Sequence, residues 1–205
     1  MYKRFVKRFL DLCLAIIAMP FCIVVWIAFA PFIYFEDKGT VFYTAQRIGK
    51  NQEVYKMYKL RSMKMNATDI RNPDGSTYNS KDDPRVTRVG RCLRSTSLDE
   101  TGQIINIIKG DMSWIGPRPA TPLILDDLTD LQAVRFQVRP GITGYTQMMY
   151  RNSAQGEKRY ESDKYYVEHL SFGLDVKIVL GTIARVLRKT DIYTDSSIEE
   201  KRQAQ

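Results

Sequence analysis

Residues Leu12 to Phe35 read LCLAIIAMPFCIVVWIAFAPFIYF and hold no charged side chain. A run a little over twenty residues long crosses a bilayer core of roughly 30 Å as a straight helix. The residues before it, MYKRFVKR from Met1 to Arg8, interleave four cations with aromatic and aliphatic side chains; Glu36, Asp37 and Lys38 follow it. The run is too long for a signal peptide, and no small-x-small cleavage site ends it. The bias of basic residues places the N-terminus in the cytoplasm. Pro20, in Met19-Pro20-Phe21, lacks a backbone donor and clashes with the preceding turn, so a bend or break is expected there. Two topologies follow. A straight span carries everything after Phe35 out of the cell, whereas a re-entrant helix-break-helix keeps both ends inside.

The 205 residues carry 31 Lys and Arg against 23 Asp and Glu, a net charge of +8. That length allows one domain of ordinary size. The charge asks for an anionic partner: nucleic acid, an acidic membrane surface or a phosphorylated ligand. No nucleic-acid recognition motif accompanies the basic segments, so no nucleic-acid partner is expected. Cys13, Cys22 and Cys92 form no C-x-x-C pair, which argues against a zinc site or a disulfide framework. The single histidine, His169, reads as a surface residue and speaks against Ser-His-Asp chemistry.

Beyond the apolar run, Val41 to Thr44 and the alternating Val54 to Leu60 flank an Arg47–Asn51 turn and predict a β-hairpin. Lys59 and Arg61 end it, either as substrate cations or as charges that keep a sheet edge soluble. Asn66 to Pro84 reads as a loop, with Asn72-Pro73-Asp74-Gly75 its clearest turn. A basic helix is then expected from Pro84 to Arg94, with Val86, Val89 and Leu93 on one face and Arg88 and Arg91 offset from it.

Next comes RCLRSTSLDETGQIINIIKGDMSWIGPRP, Arg91 to Pro119. Asp99 and Glu100 stand side by side at the start of a helix expected over Leu98–Ile108. Arg91 and Arg94 precede them, and Arg118 lies in a rigid Gly-Pro-Arg-Pro turn. Adjacent carboxylates among arginines suit a phosphorylated substrate. A carboxylate attacks phosphorus or holds Mg²⁺, and a guanidinium neutralises phosphate oxygens with a planar fork. Ser97-Leu98-Asp99-Glu100 is equally a capping box. Amphipathic, mostly helical sequence then runs to Gln137, and Arg139 sits before a Pro140-Gly141 turn feeding a short extended segment.

Taken together, VFYTAQRIG, YKMYKLRSM, DPRVTRVGRCLRSTSLDE, NIIKGDMSWIGPRP, VRPGITGYTQ and DKYYVEHLSFGLDVKIVLGTIARVL resemble the small monotopic phosphoglycosyl transferases of the bacterial sugar transferase family. The resemblance covers about Lys3 to Leu187, and SLDE…GDMSWIGPRP…RPGITG in this order is its specific core. It implies an α+β, mainly helical fold: a re-entrant membrane helix broken at Pro20 over residues 1–36, a cytoplasmic catalytic domain with a β-hairpin and interfacial amphipathic helices over 37–190, and a polar tail over 191–205. It implies that Asp99 attacks the β-phosphate of a UDP-sugar with Mg²⁺, held at Asp99, assisting. UMP then leaves, and polyprenol phosphate takes up the sugar phosphate at the cytoplasmic face of a bacterial inner membrane. Glu100 is expected to handle a proton or position a group. Lys59, Arg61, Arg94, Arg118, Arg139 and Gln147 are the expected substrate contacts. The alternative is a membrane-anchored scaffold that keeps the fold without turnover.

Three departures stand out. Met19 replaces the serine usual before the proline. Thr101-Gly102 replaces Leu-Pro, which predicts a looser start to the active-site helix. Met148-Met149-Tyr150 alters the segment between Gln147 and the retained Arg151-Asn152. In the tail, Leu174, Ile178, Ile183 and Leu187 recur at helical spacing beside Lys177, Arg185, Arg188 and Lys189. That pattern fits either a helix at an anionic membrane surface or a core helix.

Overall fold

The computed structural model describes residues 1–70, 78, 80, 83–150 and 156–187. The apolar run forms one helix, α1 (Lys7–Asp37), preceded by a π-helical turn over Tyr2–Val6. At 1.5 Å per residue α1 is about 46 Å long. It is the one helix among the described residues long and apolar enough to cross a membrane. The helix is continuous through both Pro20 and Pro31, so the expected interruption at Pro20 is not seen. A proline removes one donor and crowds one carbonyl, which the flanking turns can absorb without ending the helix.

One stripe of α1 (Asp11, Ala15, Cys22, Val25 and Ile33) is buried against the rest of the chain. The opposite side leaves Phe9, Ile16, Ile17, Val24, Ile27 and Phe32 exposed. Both ends are tied to the same body. Near the start, Lys3 Nζ donates to the Val167 carbonyl at 2.9 Å, Lys7 pairs with Asp175 at 2.8 Å, and Arg8 donates to the Ile107 carbonyl at 2.6 Å. Near the finish, Asp37 pairs with Arg61 at 2.6 Å, and the Glu36 carboxylate accepts the Arg88 and Val89 amides at 2.6 and 3.2 Å.

The β-hairpin forms as expected. β1 (Phe42–Ile48) pairs antiparallel with β2 (Val54–Leu60) in the register Ala45↔Met57 and Phe42↔Leu60. α2 spans Arg88–Thr96, later than the expected start at Pro84. Arg85 folds back on Asp83, and Val86 bridges Met63, so the helix waits for Thr87, whose hydroxyl caps it by accepting the Gly90 amide at 2.9 Å. A 3₁₀ segment over Leu98–Gln103 runs into α3 (Ile104–Lys109). Ala15, Cys22, Ala45, Met57, Ile104 and Ile107 make one core between α1, the hairpin and α3.

β3 (Ser113–Ile115) and β4 (Gly141–Thr143) pair in parallel, a contact the sequence did not suggest. Three short helical pieces cross between them: Pro122–Leu125, α4 (Asp130–Ala133) and Val134–Gln137. Thus GDMSWIGPRP and RPGITG meet face to face. A Cβ on Gly116 would lie 2.3 Å from the Arg139 carbonyl, and one on Gly144 2.1 Å from the Gly116 carbonyl, so only glycine permits this crossing. α5 (Tyr145–Tyr150), α6 (Gly156–His169) and α7 (Phe172–Leu187) complete the described chain. Ile178 of α7 is wholly buried with Met148, Tyr166 and Leu170, while Val176, Leu180 and Ile183 are exposed. α7 therefore serves the core on one face and keeps a second apolar face outward. The Asn72–Gly75 turn, Arg151-Asn152 and the tail after Leu187 lie outside the described residues.

Candidate active site

Asp99 and Glu100 fall in the 3₁₀ segment that leads into α3. The capping box does not form. Ser97 adopts a left-handed conformation (φ 59°, ψ 17°), and its side chain makes no cap bond. α2 ends only one residue before the next helical turn, so the chain must redirect at Ser97; its amide returns to the Arg94 carbonyl at 3.2 Å. The carboxylates of the first turn are left free for other partners.

Those partners differ between the two acids. Glu100 pairs with Lys59 Nζ at 2.9 Å and is also hydrogen-bonded by Gln103, which is itself buried. Burial pushes the Glu100 carboxyl up, but the charges of Lys59 and Arg118 and the two hydrogen bonds outweigh it and leave it below its ordinary value. Asp99 is only 8% exposed. Apart from its own backbone amide, its carboxylate takes no hydrogen bond and no ion pair from the described residues. Its pKa is raised, chiefly by burial; Lys59 and Arg94 pull it down and Glu100 pushes it up. One acid is clamped and ionised. Its neighbour is buried, more basic and uncommitted.

Three of the expected cations gather here. Lys59 reaches across from β2, and Arg94 lies near Asp99 with Nε donating to the Ser62 hydroxyl at 3.1 Å. Arg118 is exposed, with its carbonyl pinned by Arg135 Nη2 at 2.6 Å and its charge acting on Glu100. Arg61 is spent elsewhere. It is buried, and besides Asp37 it bonds the carbonyls of Thr40 at 2.5 Å and Ile33 at 3.1 Å, closing the end of α1. Arg139 also lies apart. Nε donates to the Gly110 carbonyl at 2.6 Å, beyond the far end of α3. That carbonyl follows the C-terminal end of the helical stretch that Asp99 opens. Gln147 sits on α5, its Nε2 3.4 Å from the Ile142 carbonyl and its Oε1 buried with no hydrogen-bond partner among the described residues. Arg88 and Arg91 are exposed, and neither is among the main charges acting on the acid pair.

Thr101-Gly102, expected to loosen this segment, is held. Thr101 accepts the Trp26 indole N–H of α1 at 3.1 Å, and a Cβ on Gly102 would approach the Lys59 Cα to 3.0 Å. The missing side chain lets the 3₁₀ turn lie directly on β2. Asn106 was not anticipated. Fully buried, it accepts the Tyr58 amide at 2.9 Å and donates to the Lys56 carbonyl at 2.7 Å and to Asp111 at 2.9 Å. It therefore fixes β2 beside Lys59. A lone amide within IINIIK was the signal available.

No three His, Cys, Asp or Glu side chains cluster as metal ligands among the described residues. Mg²⁺ commonly takes one or two carboxylates and completes its shell with water and substrate phosphates, so Asp99 fits as a single protein ligand. His169 is exposed and stacks on Tyr165 at 4.2 Å, the surface role read from sequence.

The family model described as bacterial sugar transferase matches residues 2–189. The chain belongs to the bacterial sugar transferase family. It is 36% identical over 189 residues to a UDP-N-acetylgalactosamine-undecaprenyl-phosphate N-acetylgalactosaminephosphotransferase of Aeromonas hydrophila, covering 89% of this chain and 44% of that protein. It is 35% identical to an uncharacterized sugar transferase, EpsL, of Bacillus subtilis, covering 96% of this chain and 94% of the relative. It is 36% identical to the exopolysaccharide production protein ExoY of Sinorhizobium fredii, covering 91% and 88% respectively. The chain thus spans less than half of the Aeromonas relative and nearly all of the other two.

Proposed function

We propose that this chain is a phosphoglycosyl transferase that moves a sugar 1-phosphate from a UDP-sugar to a polyprenol phosphate, through a covalent intermediate on Asp99. The observation that carries the proposal is the asymmetry of the acid pair: Glu100 is held by Lys59, whereas Asp99 is buried and takes no ion pair from the described residues. An Asp99 carboxylate oxygen attacks the β-phosphorus. The bond from that phosphorus to the oxygen bridging the two phosphates breaks, and UMP departs with the electron pair. A phosphate oxygen of the polyprenol phosphate then attacks the same phosphorus and restores the carboxylate. Burial makes Asp99 a stronger base, and hence a stronger nucleophile, than an exposed aspartate. Arg94 and Arg118 neutralise phosphate oxygens as the acid approaches, and Lys59 with Glu100 keeps the two carboxylates in fixed roles. When bound at Asp99 with the substrate phosphates, Mg²⁺ supplies further charge neutralisation.

The membrane reading follows the same lines. α1 is bound at both ends, and along one stripe, to a single body. This supports an arrangement in which both ends lie on the cytoplasmic side and the helix lies in or dips into one leaflet with its outer apolar face. UDP-sugars, which are made in the cytoplasm, then meet the site directly, and the lipid acceptor arrives through the membrane.

The test is intact-protein mass spectrometry with a panel of UDP-sugars, Mg²⁺ and no lipid acceptor. One member of the panel should add the mass of a sugar phosphate, mapped to the peptide containing Asp99, with UMP released in equal amount. Turnover without any adduct, or an adduct mapped to Glu100, overturns the mechanism.

A further inference from the structure

One side chain of α1 reaches the turn that carries the acid pair. Trp26 lies between buried Val25 and exposed Ile27, at the edge of the stripe that α1 buries. Its ring meets Phe42 of β1 edge to face, with centroids 5.2 Å apart. Its indole N–H donates to Thr101 Oγ1 at 3.1 Å, and the Thr101 hydroxyl donates in turn to the Leu98 carbonyl at 2.7 Å. That relay closes the loop Leu98-Asp99-Glu100-Thr101, with both acids between its ends. Leu98 itself packs into the same cluster as Val25, Trp26 and Phe29. From the opposite side β2 carries the turn, with Gly102 laid against Lys59 and Glu100 paired to Lys59 Nζ.

The turn needs such support. It runs for six residues as 3₁₀ helix, whereas runs beyond three or four are uncommon because the hydrogen-bond geometry is poorer. Its N-cap, Ser97, gives no side-chain bond. A hydroxyl that accepts one hydrogen bond and donates another joins its two partners firmly. We infer that Trp26 is a positioning residue: through Thr101 it fixes the turn that aims Asp99 at the donor phosphate, and it takes no part in holding the substrate. This rests on the reading of Asp99 as the nucleophile. The geometry of attack then depends on how the apolar helix is seated, since the stretch of α1 that turns Ile23, Val24 and Ile27 outward is the one that holds Trp26 against the turn.

The experiment uses the full chain in lipid nanodiscs and reads two things: amide hydrogen exchange of the peptide spanning 98–103, and the rate of UMP release with the UDP-sugar that reacts. Trp26→Phe keeps the aromatic packing and removes only the N–H. Exchange over 98–103 should quicken about five- to thirtyfold. kcat should fall about ten- to a hundredfold, as a small misplacement of a reacting group does, while the KM for the UDP-sugar stays unchanged. Thr101→Val should reproduce both effects, and Thr101→Ser, which keeps the hydroxyl, should retain most of the rate. Trp26→Phe combined with Thr101→Val should be no slower than Thr101→Val alone, because both changes break one relay. An unchanged kcat in folded Trp26→Phe, even with faster exchange, makes Trp26 structural and overturns the assignment. A raised KM at unchanged kcat moves Trp26 to substrate binding and overturns it too, as do losses that multiply in the double variant. If exchange responds as expected but the unmodified chain forms no adduct on Asp99, the transfer mechanism fails and the tether between α1 and the turn stands; if the adduct forms and Trp26→Phe alters neither readout, the positioning role fails alone.

Discussion

Replacing Asp99 with asparagine should abolish turnover and stabilise the fold, and the second effect is the more informative. Asp99 is buried, and no described side chain pairs with its carboxylate. Its pKa is raised in the fold, chiefly by burial. The sign follows. A carboxyl whose folded pKa lies above its unfolded value of about 3.9 favours the fold at low pH and loses that contribution as pH rises through the folded pKa. At neutral pH the ionised Asp99 is therefore a net cost. Asparagine keeps the shape and removes the charge. An uncompensated buried group costs roughly 1–3 kcal/mol, while the favourable helix-dipole contribution lost is about 0.3–1 kcal/mol. The net gain is about 1 kcal/mol, or a rise of about 2–4 °C in thermal midpoint for a chain of this size. Thermal unfolding in nanodiscs at pH 7.5 measures it, and near pH 3.5 the difference should shrink. The amide is a poor nucleophile, so UMP release should fall below detection. A midpoint lowered by several degrees at pH 7.5 would refute this reasoning and make Asp99 a structural anchor, and normal turnover in the folded variant would remove it from the chemistry.

Three further outcomes follow. In a pH–rate profile, kcat/KM, which reports the free enzyme, should fall on the acid side through the raised Asp99 pKa, so an acid limb within the ordinary aspartate range would contradict the burial of an ionised nucleophile. Arg61→Ala should destabilise the chain by about 1–3 kcal/mol in chemical unfolding, because it strips a buried donor from the Thr40 and Ile33 carbonyls and breaks the pair with the partly exposed Asp37. The KM for the UDP-sugar should stay unchanged in the folded fraction, and a raised KM at unchanged stability would return Arg61 to the substrate site. Asn106→Ala removes three hydrogen bonds, two to β2 and one to Asp111, and should cost about 2–4 kcal/mol; kcat should fall as Lys59 loses its fixed strand, and an unchanged kcat would show that β2 needs no such clamp.

The parts of the fold legible in the sequence are those set by local pattern. Alternation over Val54–Leu60 gave the hairpin, and the unbroken apolar run gave α1. The acid pair was legible because two carboxylates opening a helix among arginines is a chemical statement as well as a structural one. Parallel pairing of β3 with β4 was not, since strands of three residues carry no periodicity. The capping box at Ser97 is likewise absent from the structure although its residues are present. A capping box assumes an extended N-cap, whereas the α2 end forces Ser97 into the left-handed region.

The cations were the hardest to read, and one physical cause accounts for most of it. Helix C-termini leave carbonyls without intrahelical partners and carry partial negative charge, so they attract Lys and Arg from anywhere in the chain. Lys3 bonds the last carbonyls of α6, and Arg8 and Arg139 those around the end of α3. Arg61 serves the end of α1, and Arg185 bonds the Met149 carbonyl near the end of α5. None of these pairings is visible from sequence spacing, because each joins segments far apart in the chain. The positive charge that pointed to an anionic substrate is thus partly consumed by the backbone. Lys59, Arg94 and Arg118, whose charges act on the acid pair, are the cations left facing it.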